Sequence, residues 1–259
     1  IIHRGGTILK TARSKRFMTT EGRQQAYESL MAHDIDACIA IGGNGTFTGA
    51  KIFTEEFEIP FVGIPGTIDN DLYGTDNTIG FDTAVNTAIE AVDKIRDTAD
   101  SHNRLFFIEV MGRNAGFIAL NTGIGSGASN ILIPERDSTI DDLIYLLKKG
   151  AKRKKLFSLA IVAEGNKLGS AMEIAEMIKS KLDFYDTKVA IIGHLQRGGS
   201  PTAADRVLAS RLGFESVSAL LEGKSSVMAG VVNNKVLFTP FTEAIKKNPS
   251  DTTALYNRA

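Results

Sequence analysis

Residues 35–57 read IDACIAIGGNGTFTGAKIFTEEF. The first part, 35–41, is a short apolar run of the kind that fills a strand buried on both faces. Gly42 and Gly43 break it, and residues 47–57 return to a polar–apolar mixture with helical spacing. Strand, glycine turn and helix in succession form the unit from which parallel sheets are wound. Working outward, the unit recurs. Further strand candidates lie at 61–64, 105–110, 131–133, 157–163 and 189–192. Between them Val85, Ala88, Ile89, Val92 and Ile95 make one helical stripe, and Leu143, Ile144, Leu147 and Ala151 another. Val207, Leu208, Leu212, Val217 and Leu220 make a third. Residues 227–232 and 235–238 flank Asn233-Asn234 and predict a hairpin. The fold class is therefore α/β, with parallel sheet flanked by helices.

Composition bounds the function. The 259 residues are 43% hydrophobic, enough for a large buried core in one domain or two joined lobes. Thirty Lys+Arg balance thirty Asp+Glu, which argues against wholesale binding of nucleic acid or an anionic membrane. Local basic clusters can still hold a phosphate. The single Cys38 cannot form an internal disulfide and suits a reducing, cytoplasmic setting. No apolar run approaches a membrane span. The chain opens on Ile1 rather than Met, and the expectation is that its natural N-terminal segment is missing. A boundary between lobes is placed between Ser126 and Thr139.

In such sheets ligands sit outside the carboxyl ends of the strands, and four unusual clusters fall there. Gly42-Gly43-Asn44-Gly45-Thr46 follows the first strand, and Pro65-Gly66-Thr67-Ile68-Asp69-Asn70-Asp71 the second. Met111-Gly112-Arg113 follows the strand at 105–110, and His194-Leu195-Gln196-Arg197-Gly198-Gly199-Ser200-Pro201 the one at 189–192. The expectation is that they converge.

Each cluster has a chemistry and a blander alternative; in the last, His194 and Arg197 offer a hydroxyl partner and a permanent cation, or the lone histidine is a structural hydrogen-bonder. The glycine turn can present free N–H groups to phosphate oxygens, or it is a tight turn and no more. In the second cluster Asp69 could take a proton from an attacking hydroxyl while Asp71 helps hold a magnesium–phosphate group; an Asx-rich loop satisfying its own backbone is the other reading. Arg113 suits a phosphate oxygen, or is a surface residue at a helix start. Glu164, at the end of the strand at 157–163, could accept from sugar hydroxyls or serve as a cap. No His/Cys/Asp grouping has the spacing of a zinc site, so no transition metal is expected.

Taken together, PGTIDND, EVMGR and GHLQRGGSP, with Arg4-Gly5-Gly6-Thr7, Ala12-Arg13 and Ser210-Arg211, resemble 6-phosphofructokinase along essentially the whole chain. The resemblance implies a two-lobed fold of mostly parallel sheets in three αβα layers. Residues 1–127 would form an ATP-binding lobe and 128–259 a fructose 6-phosphate-binding lobe, the C-terminal tail returning to the first. It also implies a cytoplasmic glycolytic homotetramer using Mg2+ and transferring the ATP γ-phosphoryl group to the sugar 1-hydroxyl. Asp69 would be the base, with Thr67, Asp71 and Arg113 completing the transfer site. Arg13, Ser14, Gly43, Asn44, Gly45 and Thr46 would hold ATP, and Asn44 and Asp71 the magnesium. Thr67, Ile68, Met111, Gly112, Arg113, Glu164, His194, Leu195, Gln196 and Arg197 would line the sugar site. Arg104 and Lys188 would reach across a subunit interface to the 6-phosphate, and Arg96, Arg153 and Lys155 would belong to an effector pocket.

The resemblance also separates branches of the family. Pyrophosphate-using relatives carry an Asp and a Lys where Gly45 and Gly66 stand here, so the smaller pair implies ATP. Three positions depart from the pattern: Asn44 replaces an Asp, Lys188 an Arg, and Ser129 a metal-binding Glu. An amide oxygen brings no charge to the metal, and an ammonium is no bidentate fork. Set against the ATP-dependent kinase are a pyrophosphate-dependent enzyme, a catalytically weak regulatory homologue, and a lipid or NAD kinase sharing the glycine loop. The last accounts for neither MGR nor HLQRGGSP.

Overall fold

The computed structural model describes residues 1–99, 104–152 and 157–246. In chain order the first elements are α1 (Thr20–Met31), β1 (Cys38–Gly42), α2 (Asn44–Phe57), β2 (Phe61–Pro65), α3 (Phe81–Ala99), β3 (Arg104–Val110) and α4 (Phe117–Gly125). They are followed by β4 (Asn130–Leu132), α5 (Ile140–Lys152), β5 (Phe157–Ala163), α6 (Ala171–Lys179), β6 (Asp186–Ile191), α7 (Ala203–Leu221), β7 (Val227–Val232), β8 (Lys235–Pro240) and α8 (Phe241–Lys246). Short 3-10 turns lie at Arg16–Met18 and Gly193–Arg197.

Packing divides the chain into two compact units, and no single cut separates them. Unit one comprises Ile1–Thr67, Asp71–Gly80 and, among the described residues, 201–246; unit two comprises Ile68–Asn70 and Phe81–Ser200.

Unit one is built on a sheet of order β1-β2-β7-β8. The first three strands run parallel, and β8 returns antiparallel to β7 through Asn233-Asn234. Both asparagines have positive φ, 49° and 62°, which is the backbone of a two-residue hairpin turn. Alternation along β2 decides what covers each face. Val62 and Ile64 point into a core shared with Leu212 and Ala219 of α7. Gly63, on the opposite face, lies under Phe47 of α2 and Phe241 of α8, whose rings stack 5.2 Å apart. A Cβ on Gly63 would come within 2.6 Å of the Phe47 ring, so the glycine lets two aromatic rings reach the sheet.

Unit two has a fully parallel sheet of order β4-β5-β3-β6. Leu159, Ile161 and Ala163 of β5 join Ala88 of α3 and Ile118 of α4 in one core. Ala160 and Val162 join Leu143 of α5 and Ile174 of α6 in another. Each fully buried side chain of Leu or Ile size contributes roughly 1.5–3 kcal/mol of transfer free energy. Helix α6 opens with a capping box, in which Ser170 accepts from the Glu173 N–H and Glu173 accepts from the Ser170 N–H.

Several element ends differ from the sequence expectations, each for a local reason. Residues 35–37 are not strand: the Ile35 N–H closes the end of α1 on the Leu30 carbonyl, and pairing begins at Cys38↔Phe61. Helix α2 starts at Asn44, not 47, because Gly43 is its N-cap and Gly45 is tolerated in its first turn. Strand β6 begins at Asp186, before the apolar run at 189, since a sheet edge accepts the polar Asp186-Thr187-Lys188. No helix among the described residues is long and apolar enough to cross a membrane.

Candidate active site

In unit one, β1 delivers the glycine turn to the start of α2. A Cβ on Gly42 would stand 2.2 Å from the Thr46 hydroxyl, so Thr46 of the first helical turn folds back over bare backbone. No side chain caps α2 at Gly43, which leaves first-turn N–H groups to face an acceptor. Asn44 Nδ2 donates to Asp71 Oδ2 at 2.9 Å. Its Oδ1 is buried and has no partner. An orphaned acceptor oxygen beside a carboxylate fits a divalent cation, which favours oxygen ligands. No group of three or more His, Cys, Asp or Glu is placed to hold a metal among the described residues, so such an ion would draw its other ligands from phosphate and water. The Thr67 carbonyl is fixed by the hydroxyl of the fully buried Thr78 at 2.6 Å. Arg13 and Ser14 lie in the exposed segment before α1, where Ser14 Oγ accepts from the Phe17 N–H.

In unit two, Asp69 is 7% exposed. Arg113 Nε stands 3.5 Å from its Oδ2, giving a mostly buried carboxylate a counter-charge. The guanidinium is itself half open to solvent. Two non-glycine residues here adopt left-handed backbone, Asn70 at φ 53° and Arg113 at φ 52°, with Gly112 at 142°. Strain of this kind persists only where the surroundings impose it. Around Arg113 they do. Glu164 Oε1 accepts from the Gly112 N–H at 3.3 Å and from the Arg113 N–H at 2.7 Å. Gln196 Oε1 accepts from the Met111 N–H at 2.9 Å.

The structure thus brings Asp69, the Met111–Arg113 turn, Glu164 and Gln196 together in one unit, and Gly43–Thr46, Thr67 and Asp71 in the other. Ile68 packs on the α3–α4 core. His194, Leu195 and Arg197 are exposed on the 3-10 turn after β6, whereas Gln196 is buried at 1% exposure. Arg104 and Lys188 lie apart from Asp69. Arg104 opens β3 and Lys188 is the third residue of β6, and both reach Asp186 at the start of β6: Arg104 Nε is 3.5 Å and Lys188 Nζ 2.9 Å from its carboxylate. The Lys188 hydrogen bond, with Arg104 behind it, holds the Asp186 carboxyl below the usual range. Arg104 opens the seven-residue β3 and Lys188 lies beside Phe106, so about 20 Å and about 16 Å of strand separate them from the Met111 turn. Arg96 sits on α3 with Nη1 3.9 Å from Asp93, while Arg153 and Lys155 fall outside the described residues. Burial pushes the Cys38 thiol up.

Sequence reasoning missed three supporting residues. Thr78 anchors Thr67. Asp205, 3% exposed on α7, accepts from the Gly80 N–H at 2.8 Å. Gly165 lies so close to the Arg113 carbonyl that a Cβ would come within 1.8 Å of its oxygen. Its position directly after Glu164, at a strand's end, was the available signal.

The phosphofructokinase family model matches residues 1–220. An ATP-dependent 6-phosphofructokinase 2 of Bacteroides thetaiotaomicron is 55% identical over 248 residues, 96% of this chain and 76% of that relative. An ATP-dependent 6-phosphofructokinase 1 of Thermus thermophilus is 54% identical, over 98% of this chain and 79% of its own length. Among solved structures, Pichia pastoris phosphofructokinase in the T-state superposes with a TM-score of 0.88 at 37% identity, covering 94% of this chain and 29% of that one. A pyrophosphate-dependent phosphofructokinase of Marinobacter aquaeolei gives 0.81 at 25% identity, covering 96% of this chain and 68% of that one. With the model matched across both packing units and the relatives aligned over nearly all of its residues, the chain belongs to the phosphofructokinase family.

Proposed function

We infer that this chain transfers the γ-phosphoryl group of ATP to the 1-hydroxyl of fructose 6-phosphate, giving fructose 1,6-bisphosphate and ADP in the cytoplasm. The observation that carries the reading is the Asp69 carboxylate, almost buried yet paired with an Arg113 whose backbone is pinned on both sides. Asp69 accepts the hydroxyl proton as the sugar oxygen bonds to phosphorus, and the bond to the ADP oxygen breaks with its electron pair. Arg113, half exposed, offers a permanent cation to charge developing on the phosphoryl oxygens. The open start of α2 would receive nucleotide phosphates. Magnesium, when bound, neutralises phosphate charge, and Asn44 Oδ1 and Asp71 are the side-chain groups that would hold it. Glu164 keeps Oε2 for a sugar hydroxyl while Oε1 serves the loop. His194 and Arg197, exposed on the neighbouring turn, complete the sugar site in this reading.

Arg104 and Lys188 belong to the same reading as ligands of a neighbouring subunit's sugar 6-phosphate, within a homotetramer. Their separation from the turn that carries Arg113 supports this, since that turn follows the carboxyl end of β3 while Arg104 opens the strand and Lys188 lies beside Phe106. Arg96 would contribute to an effector pocket.

ATP is favoured over pyrophosphate by the names of the relatives and by two glycines. A Cβ at Gly45 meets nothing within 4 Å, which leaves open space beside the turn. At Gly66 a Cβ would press to 3.0 Å on Ile41, so a lysine there requires that side chain to move. A coupled assay offering ATP and pyrophosphate in turn, with fructose 6-phosphate and magnesium, tests the reading. Turnover with ATP alone is expected; turnover with pyrophosphate alone, or with neither, overturns it. In the same assay Asn44→Asp is expected to lower the magnesium concentration for half-maximal rate, since it adds a charge at an orphaned ligand position. An unchanged magnesium dependence removes Asn44 from the metal site.

A further inference from the structure

Gln196 falls within the run that the resemblance assigns to sugar binding, but its side chain is 1% exposed and both ends of its amide meet backbone. Oε1 accepts from the Met111 N–H at 2.9 Å, and Nε2 makes a longer contact of 3.5 Å with the Ala84 carbonyl of α3. A side chain so enclosed does not reach a substrate. Ala84 belongs to the apolar core of this unit, and an amide buried against that core is held only by specific partners.

With Glu164 it completes a pattern. The N–H groups of three consecutive residues, Met111, Gly112 and Arg113, are each accepted by a side chain from elsewhere in the unit. Two of those residues have positive φ, and the last carries the guanidinium beside Asp69. Left to itself, a turn with Arg113 at φ 52° relaxes to a commoner backbone and moves its guanidinium with it.

We propose that Gln196 is a positioning residue for phosphoryl transfer: by bracing the first N–H of the Met111–Arg113 turn against α3, it fixes where the Arg113 cation stands relative to Asp69. The proposal rests on the phosphotransfer reading above but makes a separate claim. It differs from a ligand role, in which loss of Gln196 weakens sugar binding, and from a purely structural role, in which any stably folded variant is fully active.

The test uses Gln196→Leu, which keeps bulk and removes both polar contacts, and Gln196→Glu, which keeps the acceptor for the Met111 N–H and, held protonated by burial at this position, offers its O–H to the Ala84 carbonyl. Gln196→Leu is expected to lower kcat by about ten- to a hundredfold, since an ångström's misplacement of a reacting group costs up to about 10²-fold. KM for ATP should be unchanged and KM for fructose 6-phosphate little altered. Gln196→Glu should recover most of kcat, rescue that a bulk-packing role does not predict. Independently of turnover, amide hydrogen exchange at residues 111–113 should quicken in Gln196→Leu and not in Gln196→Glu. If Gln196→Leu does not fold, Gln196→Glu decides alone: wild-type exchange and kcat support the brace, and loss of either overturns it. Unchanged exchange in a folded Gln196→Leu refutes the brace. Faster exchange with unchanged kcat refutes its catalytic consequence, and a rise in sugar KM with kcat intact returns Gln196 to the ligands. An inactive parent chain would fail the phosphotransfer reading instead, and exchange would still read the brace.

Discussion

Replacing Asp69 with Ser is expected to lower kcat by about 10²–10⁴-fold, the span that a positioned general base contributes. KM for fructose 6-phosphate should change little, because the proton moves only as the transition state is approached and the ground state gains nothing from it. Asp69→Asn is the sharper companion, since it keeps the shape and cannot accept the proton in the same way. Arg113 complicates the reading. Its guanidinium stands 3.5 Å from the carboxylate, so removing the acid frees the cation as well as deleting the base. A guanidinium half in solvent tolerates that, and the variants should stay folded. Steady-state kinetics at saturating ATP, with circular dichroism as a check on folding, separate the outcomes. Parallel loss of affinity and rate, or a collapse of the fold, would make Asp69 a structural residue and remove the centre of the proposed mechanism.

The second large effect is expected at a residue with no side chain. Gly165→Ala places a methyl group within 1.8 Å of the Arg113 carbonyl oxygen, and the obstacle is backbone rather than the movable end of a side chain. Overpacking of this kind costs about 1–3 kcal/mol, more where neighbours cannot yield. The Arg113 turn is the part that must shift, so kcat should fall together with stability. Urea unfolding reads the first as a lower midpoint at unchanged slope, and the coupled assay reads the second. Gly213→Ala is the control: a Cβ there meets nothing within 4 Å, and an alanine inside α7 should be neutral or slightly stabilising. Wild-type stability and rate in Gly165→Ala would show that the turn accommodates the methyl group and that its geometry is not tightly set.

How far the sequence could be read depended on the range over which each feature is determined. The hairpin at Asn233-Asn234 is local: two residues suited to positive φ between apolar runs suffice, and β7 and β8 follow. The helical stripes in α3 and α5 are also local, because period and composition carry them. Helix α2 begins three residues before its apolar pattern does, because tertiary packing on β1 and β2 outweighs the low helix propensity of Gly45. Asp69 was legible from its neighbours, as two carboxylates beside a threonine and an amide. The motif names Gln196 but not its surroundings, because its amide meets the Ala84 carbonyl, 112 residues away in the chain. Glu164 shows the same limit: the two N–H groups it accepts are 52 and 51 residues distant, and nothing local announces them. Motifs identified the participating residues, and only the fold distinguished those facing a ligand from those holding the backbone.

Arg104 and Lys188, some 20 Å and 16 Å along the strands from the turn that carries Arg113, carry a consequence for the enzyme in dilute solution. If they serve a neighbour's sugar phosphate, a lone protomer keeps its base and loses two of its substrate's anchors at once. Sugar affinity then becomes a function of protein concentration, set by mass action between protomers. Two inactive variants, one lacking Asp69 and the other lacking Arg104 and Lys188, could restore turnover when allowed to co-assemble, because each mixed interface would hold one intact set of groups.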